Sequence, residues 1–393
     1  FRCHIKLYLN FHIICIKRTD DYCNEWSEKI LMKKILVIGM SDTLGGVETY
    51  IYNLIKMIDK KKFTFDFLVI GQDNKSVFEK EINDILGNDK NHFYYSPNLK
   101  KHYVETQKWL TQFYKKNQYD IIYLNTCTAA RISYCVKGLK NNRTKLITHS
   151  HNGKADNWKG SLTNKLIKKY TTKRSAYRLA CSDLAYSYLF SDSMSGKWFV
   201  PNGVEIDRFK FNEVERRIIR VQNNISKDNI VIGNVGRFSA QKNHRYFLDL
   251  AEKLDNKFVF LLLGNGELKE EFIEKVKECG LEDKFRVVSA KTDVERYYSA
   301  MDVFVMPSIF EGLPITAIEA QCNGLPCVFS TYITQQVKLS SNCEFVDLED
   351  KGKWIEVISN FSKSRYDGVK VITDNKFDID STVKMMEMIF EEL

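Results

Sequence analysis

Short apolar runs recur along the chain and alternate with longer stretches of helical period. They fall at residues 35–39, 65–70, 120–125, 146–153 and 179–183. After a polar interval they resume at 230–236, 259–263, 285–289, 303–306 and 326–330. A strand that is apolar on both faces must be covered on both, and consecutive parallel strands need a long connection, usually a helix. The pattern therefore predicts an α/β chain with two parallel sheets flanked by helices, the second unit beginning near residue 206. At 393 residues the chain is also too long for one ordinary core.

Open sheets of this kind place their ligands beyond the carboxyl ends of the strands, so the residues at those ends carry the argument. The loop from Ser41 to Glu48 contains Gly45-Gly46 and opens a helix over 48–57. It is either a plain turn or an anion-accepting loop of free N–H groups. His149, His151, Asn152 and Gly153 stand where the fourth run opens into a polar loop, as idle loop residues or as ligand contacts. Arg237 and Lys242 follow the 230–236 run; such cations can neutralise a diphosphate or form an ordinary basic loop. Gly264-Asn-Gly266 lacks the third glycine of a dinucleotide fingerprint and says little alone.

The stretch Glu311-Gly-Leu-Pro-Ile-Thr-Ala-Ile-Glu319 is more informative. Pro314 suits the first turn of a helix, where its missing N–H costs nothing. Glu311 is then expected in the strand-to-helix loop and Glu319 inside the helix, two carboxylates able to face one ligand. The alternative is a loop carboxylate and a helix-surface Glu. Asp378-Ile-Asp380 reads as the N-cap of an amphipathic closing helix, not as a metal triplet.

Charge is unevenly spread. Residues 32–205 hold 28 Lys and Arg against 15 Asp and Glu, whereas residues 206–393 hold 26 against 31. The basic half predicts an anionic partner, a phosphate-bearing acceptor or an acidic membrane surface. Within it, 161–178 reads as a basic amphipathic helix (Lys165, Lys168, Lys169, Lys173, Arg174), either a solvated face or a surface for acidic lipid. No nucleic-acid partner is expected, because no helix-turn-helix, finger or RNA-binding signature accompanies the charge. No apolar run reaches the roughly 18 residues of a spanning helix. Ten Cys without C-x-x-C or Cys/His ligand spacing predict reduced thiols in a cytoplasm and no zinc site. Met32-Lys-Lys-Ile-Leu-Val-Ile-Gly39 reads as a fresh protein start. Residues 1–31 are therefore expected to be upstream sequence outside the core, with an interfacial anchor as the alternative.

Taken in order, six motifs resemble those of the retaining, family-4 type of GT-B glycosyltransferases, over residues 32 to about 390. They are Gly45-Gly46, His151 with Asn152, Pro201-Asn-Gly-Val204, Gly236-Arg237 through Lys242, Gly264-Asn-Gly266, and Glu311 to Glu319. The resemblance implies two Rossmann-like domains facing a cleft: an acceptor-side domain at 32–205 and a nucleotide-sugar domain at 206–377. Residues 378–393 would form a helix crossing back to the first domain. By this resemblance Arg237 and Lys242 bind the donor diphosphate, Glu311 the sugar and Glu319 the ribose hydroxyls. Gly264 and Gly266 line the donor site. Backbone groups at Gly45, Gly46, Gly312, Leu313 and Ile315 complete the cradle, Pro314 having no N–H to give. His151 lies near the reacting sugar carbon; His149 is the weaker candidate, since family members tend to place this His directly before Asp or Asn.

The implied reaction moves a hexose or N-acetylhexosamine, with retention, from a nucleotide sugar to a lipid-linked saccharide for a capsular or exopolysaccharide. UDP is the commonest carrier, and neither a cofactor nor a metal is implied. The enzyme is expected in the cytoplasm, peripheral on the inner face of the membrane. Residues 288–293 lack the Gly that many members carry before the Asp, which leaves the base open. Two other functions share the fold: a sugar-nucleotide epimerase, which converts donor without acceptor, and a non-catalytic subunit, which binds without turnover.

Overall fold

The computed structural model describes residues 32–71, 74–99, 101–141, 143–151, 158–192, 197–290, 293–361 and 364–393. Residues 1–31, Asn152 and Gly153, and Lys291 and Thr292 of the 288–293 segment lie outside the described residues. The first sheet comprises β1 (Lys33–Ile38), β2 (Phe63–Ile70), β3 (Phe93–Ser96), β4 (Ile121–Thr126), β5 (Lys145–Ser150), β6 (Tyr177–Ala180) and β7 (Lys197–Phe199). The second comprises β8 (Ile230–Val235), β9 (Phe258–Leu263), β10 (Phe285–Val288), β11 (Val303–Met306), β12 (Cys327–Ser330) and β13 (Cys343–Val346). Their strand orders are β3-β2-β1-β4-β5-β6-β7 and β10-β9-β8-β11-β12-β13, with parallel pairing throughout. These are two Rossmann-like domains. Each order reverses once, between β1 and β4 and between β8 and β11, and a crevice opens at such a switch point.

Why these runs form central strands is visible in their side chains. Ile35 and Val37 of β1 enter one hydrophobic layer, Leu36 and Ile38 the other. In β11, Val303 and Val305 face one layer while Phe304 and Met306 face the opposite one. Each such side chain contributes roughly 1.5–3 kcal/mol by leaving water. The closing helix, Ile379–Glu392, begins at Asp378, whose carboxylate accepts from Ser381 N at 2.8 Å. Its Val383, Met386, Ile389 and Phe390 pack into the same layer as Ile35 and Val37. At its start Val204 N donates to Phe377 O, and Ile379 N to Val204 O.

The structure departs from expectation in three places. The basic stretch is helical only over Trp158–Arg174; Arg178 belongs to β6 and pairs with Thr148 and Lys197. That helix is not amphipathic in the usual sense, for it buries Asn164 and Thr171 while Leu166 is exposed. Asn164 instead fastens the helix, accepting from Ala129 N and donating to Tyr188 O. Pro314 sits at the N-cap of helix Ile315–Cys322, one step before the first turn. β3, β7 and β13 are strands that the apolar runs did not mark.

Candidate active site

Lys242 and Glu311 meet at the switch point of the second sheet. The loop after β8 is anchored to the loop after β9: Gly236 N donates to Leu263 O at 2.9 Å, and Phe238 N to Asn265 O at 2.9 Å. This close approach requires glycine. A Cβ on Gly264 would lie 1.9 Å from Gly236 O, and one on Gly266, whose φ is +155°, 2.3 Å from Phe238 O. A short turn, Ala240–Lys242, ends at Asn243 in the left-handed region at φ 55°. Asn243 Nδ2 donates to Pro307 O at 3.1 Å, Gln241 Nε2 to Phe310 O at 3.0 Å, and Ile309 N to Gln241 O at 2.8 Å. The loops after β8 and β11 are thereby stitched together, and Lys242 Nζ comes to rest 2.6 Å from Glu311 Oε1. The approach is an ion pair without hydrogen-bond alignment, and among the described residues this buried carboxylate oxygen has no directed donor. A bridge to Ile333 holds Glu311 from the other side.

The remaining residues of this half divide between surface and core. Arg237 Nε lies 3.0 Å from Glu267 Oε2, but both side chains are more than half exposed, so the pair holds Arg237 only weakly. Glu319 is buried in helix Ile315–Cys322, its Oε2 accepting from Tyr298 OH at 2.6 Å. Burial pushes its carboxyl up to about 7, with the Tyr298 hydroxyl and Arg208 pulling the other way. Leu313 turns into the core, so only its backbone faces the loop.

At the first sheet, Gly45 caps helix Gly46–Met57 without a side chain of its own. Glu48 supplies what is missing: its carboxyl turns back so that a Cβ on Gly45 would lie 2.8 Å from Oε2, while Oε1 accepts from Ser41 Oγ at 2.6 Å. An acid at this position complements the helix dipole. The Gly45-Gly46 N–H groups are thus offered beside a buried acid whose ionisation burial disfavours. His149 is fully buried, its Nδ1 facing Tyr123 OH at 2.7 Å and its Nε2 facing Val200 O at 3.2 Å. Its two nitrogens are spoken for by the core. His151 is half-buried, its ring tilted against those of His149 and Tyr50, and places Nε2 2.9 Å from Asn125 Oδ1. Burial pushes its ring down to about 3, so it is neutral near pH 7.

Two family models account for most of this architecture. "Glycosyltransferase Family 4" matches residues 44–208, and "Glycosyl transferases group 1" matches residues 215–344. The chain belongs to the family-4 type of GT-B glycosyltransferases. Among its relatives, glycosyltransferase EpsF of Bacillus subtilis is 28% identical over 316 residues, 78% of this chain and 81% of that one. UDP-Gal:alpha-D-GlcNAc-diphosphoundecaprenol alpha-1,3-galactosyltransferase of Escherichia coli is 27% identical over 251 residues, 58% and 62% of the two chains. The crystal structure of Anabaena Alr3699/HepE in complex with UDP-glucose superposes with a TM-score of 0.76 at 16% identity, covering 92% of this chain and all of that one.

In this glycosyltransferase the expected residues therefore fall into groups. Lys242 and Glu311 touch, and Gly264 and Gly266 hold the loop that carries Arg237. Glu319 stands one helix turn further in. Gly45, Gly46 and His151 lie at the carboxyl edge of the other sheet, and Asp183 N donates across to Gln336 Oε1 at 2.7 Å. Gln241, Asn243, Asn125 and Tyr298 are contacts the sequence reading missed. Only Asn243, an Asn directly after Lys242 in a tight turn, left a local signal. Among the described residues no group of His, Cys, Asp or Glu is arranged to hold a metal ion, and no helix is long and apolar enough to cross a membrane.

Proposed function

We propose that this glycosyltransferase moves a hexose or N-acetylhexosamine, with retention of configuration, from a UDP-sugar to a lipid-linked saccharide during surface polysaccharide synthesis. The observation that carries the reading is the buried Lys242–Glu311 pair at the switch point of the second sheet. A cation there can take a leaving diphosphate while the carboxylate accepts from sugar hydroxyls. Weakly held Arg237 can exchange Glu267 for the same diphosphate. With these cations in place, we propose that no metal is needed. His151, neutral and opposite, contributes hydrogen bonding rather than charge.

Glu311 is paired with Lys242 and Glu319 with Tyr298, and neither is proposed as a nucleophile. The acceptor hydroxyl therefore attacks from the face that the diphosphate leaves. The C1–O bond to phosphate breaks, the C1–O bond to the acceptor forms, and the acceptor proton passes to a phosphate oxygen. The names of the relatives support the donor and acceptor classes: one acts on a diphosphoundecaprenol-linked sugar and a structural neighbour binds UDP-glucose. The basic first half suits an anionic, peripheral position on the inner membrane face.

The test is UDP release from a panel of UDP-sugars, with and without membrane lipid extract and with EDTA present. Release from one donor, accelerated by the extract and reduced at least 100-fold (about two orders of magnitude) in Glu311→Ala, supports the proposal. Donor conversion without UDP release would mean an epimerase, and UDP-sugar binding without turnover a binding subunit.

A further inference from the structure

A cavity of about 270 Å³ opens at the amino edge of the first sheet, where Tyr119 leads into β4 and Thr144 into β5. This is the edge opposite the one that carries Gly45, Gly46 and His151. The floor of the cavity is fixed and largely apolar. Tyr119 and Ile122 are buried, Thr144 Oγ1 donates to Tyr119 O at 2.7 Å, and Tyr114 OH donates to Tyr134 O at 2.9 Å. Gly138 lets the short turn Gly138–Asn141 close over this floor. A Cβ there would lie 2.6 Å from Tyr114 Cε1 and 2.7 Å from Ile122 Cδ1. Around the floor stand Lys115, in the last turn of helix Tyr103–Lys116, and Lys137 and Lys140, on either side of Gly138. Among the described residues none of these three ammonium groups has a hydrogen bond or an ion pair. The carboxylates at hand are engaged elsewhere. Asp66 accepts from Tyr119 OH at 3.0 Å and pairs with Lys34 and Lys90, and Asp120 accepts from Lys34 N at 2.8 Å. Three like charges gathered round one cavity repel each other, and a bound anion would offset that repulsion.

The donors narrow the kind of anion. A planar carboxylate is best matched by the guanidinium fork, which is absent from the described lining, whereas ammonium groups act as point charges with rotatable donors. Cations approaching from several sides suit the terminal oxygens of a phosphate, and a floor of tyrosine and isoleucine suits the carbon body of an ester. We propose that Lys115, Lys137 and Lys140 form a binding site for a phosphate ester, at the end of the first domain away from the Lys242–Glu311 pair. The site goes beyond the transfer reaction above and does not depend on it. One chemistry here has two sources, a free phosphate ester or the headgroup of an anionic phospholipid.

The test uses the whole chain and two probes: glycerol 3-phosphate, by calorimetric titration, and phosphatidylglycerol vesicles, by sedimentation against phosphatidylcholine vesicles. The double variant Lys137→Met/Lys140→Met removes two of the cations. A charge-matched control, Lys165→Met/Lys169→Met, removes two exposed cations from helix Trp158–Arg174 instead. Affinity for at least one probe is expected to fall about tenfold or more in the cavity variant, the equivalent of one hydrogen bond to a charged group. The control should stay within about twofold of wild type, a small fraction of that hydrogen bond. A loss confined to glycerol 3-phosphate assigns a free ester, and one confined to vesicles assigns the headgroup. An unchanged affinity in the cavity variant, an equal loss in the two variants, or no binding of either probe by the wild-type chain overturns the proposal. Lys115→Met, at the other side of the cavity, supplies the same comparison should the double variant lose Tm. Acceptor-free UDP release should be unchanged in all of these variants, so failure of this site and failure of the transferase reading are told apart.

Discussion

Glu319 and Glu311 are both buried, yet only Glu311 has a cation in contact. Glu319 has a phenol, so burial outweighs its partners and its carboxyl rises to about 7. The folded state then holds the proton more tightly than the unfolded chain, whose Glu titrates near 4.5. This contribution to stability is full below pH 4.5 and is lost as pH rises through 7, a change of about 3 kcal/mol. Urea melts at pH 5 and pH 8 should show a fall of that order, and Glu319→Gln should remove it. An equal fall in the variant would assign the pH dependence elsewhere. The anion is also the better acceptor for ribose hydroxyls, so UDP-sugar affinity should climb over the interval in which stability declines. At this scale the sequence was partly legible. Local spacing placed Lys242 and Glu311 in their loops, but their contact depends on Gln241, Asn243 and Pro307, which no spacing connects. The amide of Asn125 was invisible because a buried amide and a surface one look alike in a sequence.

At the scale of elements, the strand-to-helix loops divide the glycines by purpose. Gly264 exists so that two loops can touch: an added Cβ would sit 1.9 Å from Gly236 O, and backbone cannot yield cheaply. Gly264→Ala should cost about 2 kcal/mol or more and raise the donor KM as the Arg237 loop shifts. Gly46 is the opposite case, for an added Cβ there meets nothing within 4 Å. Gly46→Ala should leave Tm unchanged and, if the proposed donor site extends to this helix N-terminus, still raise the donor KM by filling that open space. Thermal melts beside UDP-release kinetics check both. An unchanged KM in Gly46→Ala would leave the Gly45-Gly46 loop as a turn capped by Glu48. The weak sequence signal of Gly264-Asn-Gly266 thus had a structural cause first, the packing of one loop on another.

At the scale of the molecule, both sheets were legible because their central strands are apolar on two faces. β3 and β13 escaped because they lie at sheet edges and are short; Tyr94 and Tyr95 are half-exposed, and Glu344 is exposed. The closing helix was legible as an amphipathic stripe, but its place in the first domain's core follows from tertiary packing beside Ile35 and Val37. Among the described residues, the carboxyl edges of the two sheets carry the Lys242–Glu311 pair in the second domain and His151 in the first, and on the proposed reading neither Glu311 nor Glu319 acts as a nucleophile. The account therefore stands on same-face transfer. The most direct test is the anomeric proton coupling of the product, read by NMR before any mutarotation. A product keeping the α configuration of its UDP-sugar is the predicted result; a β-linked product would contradict it.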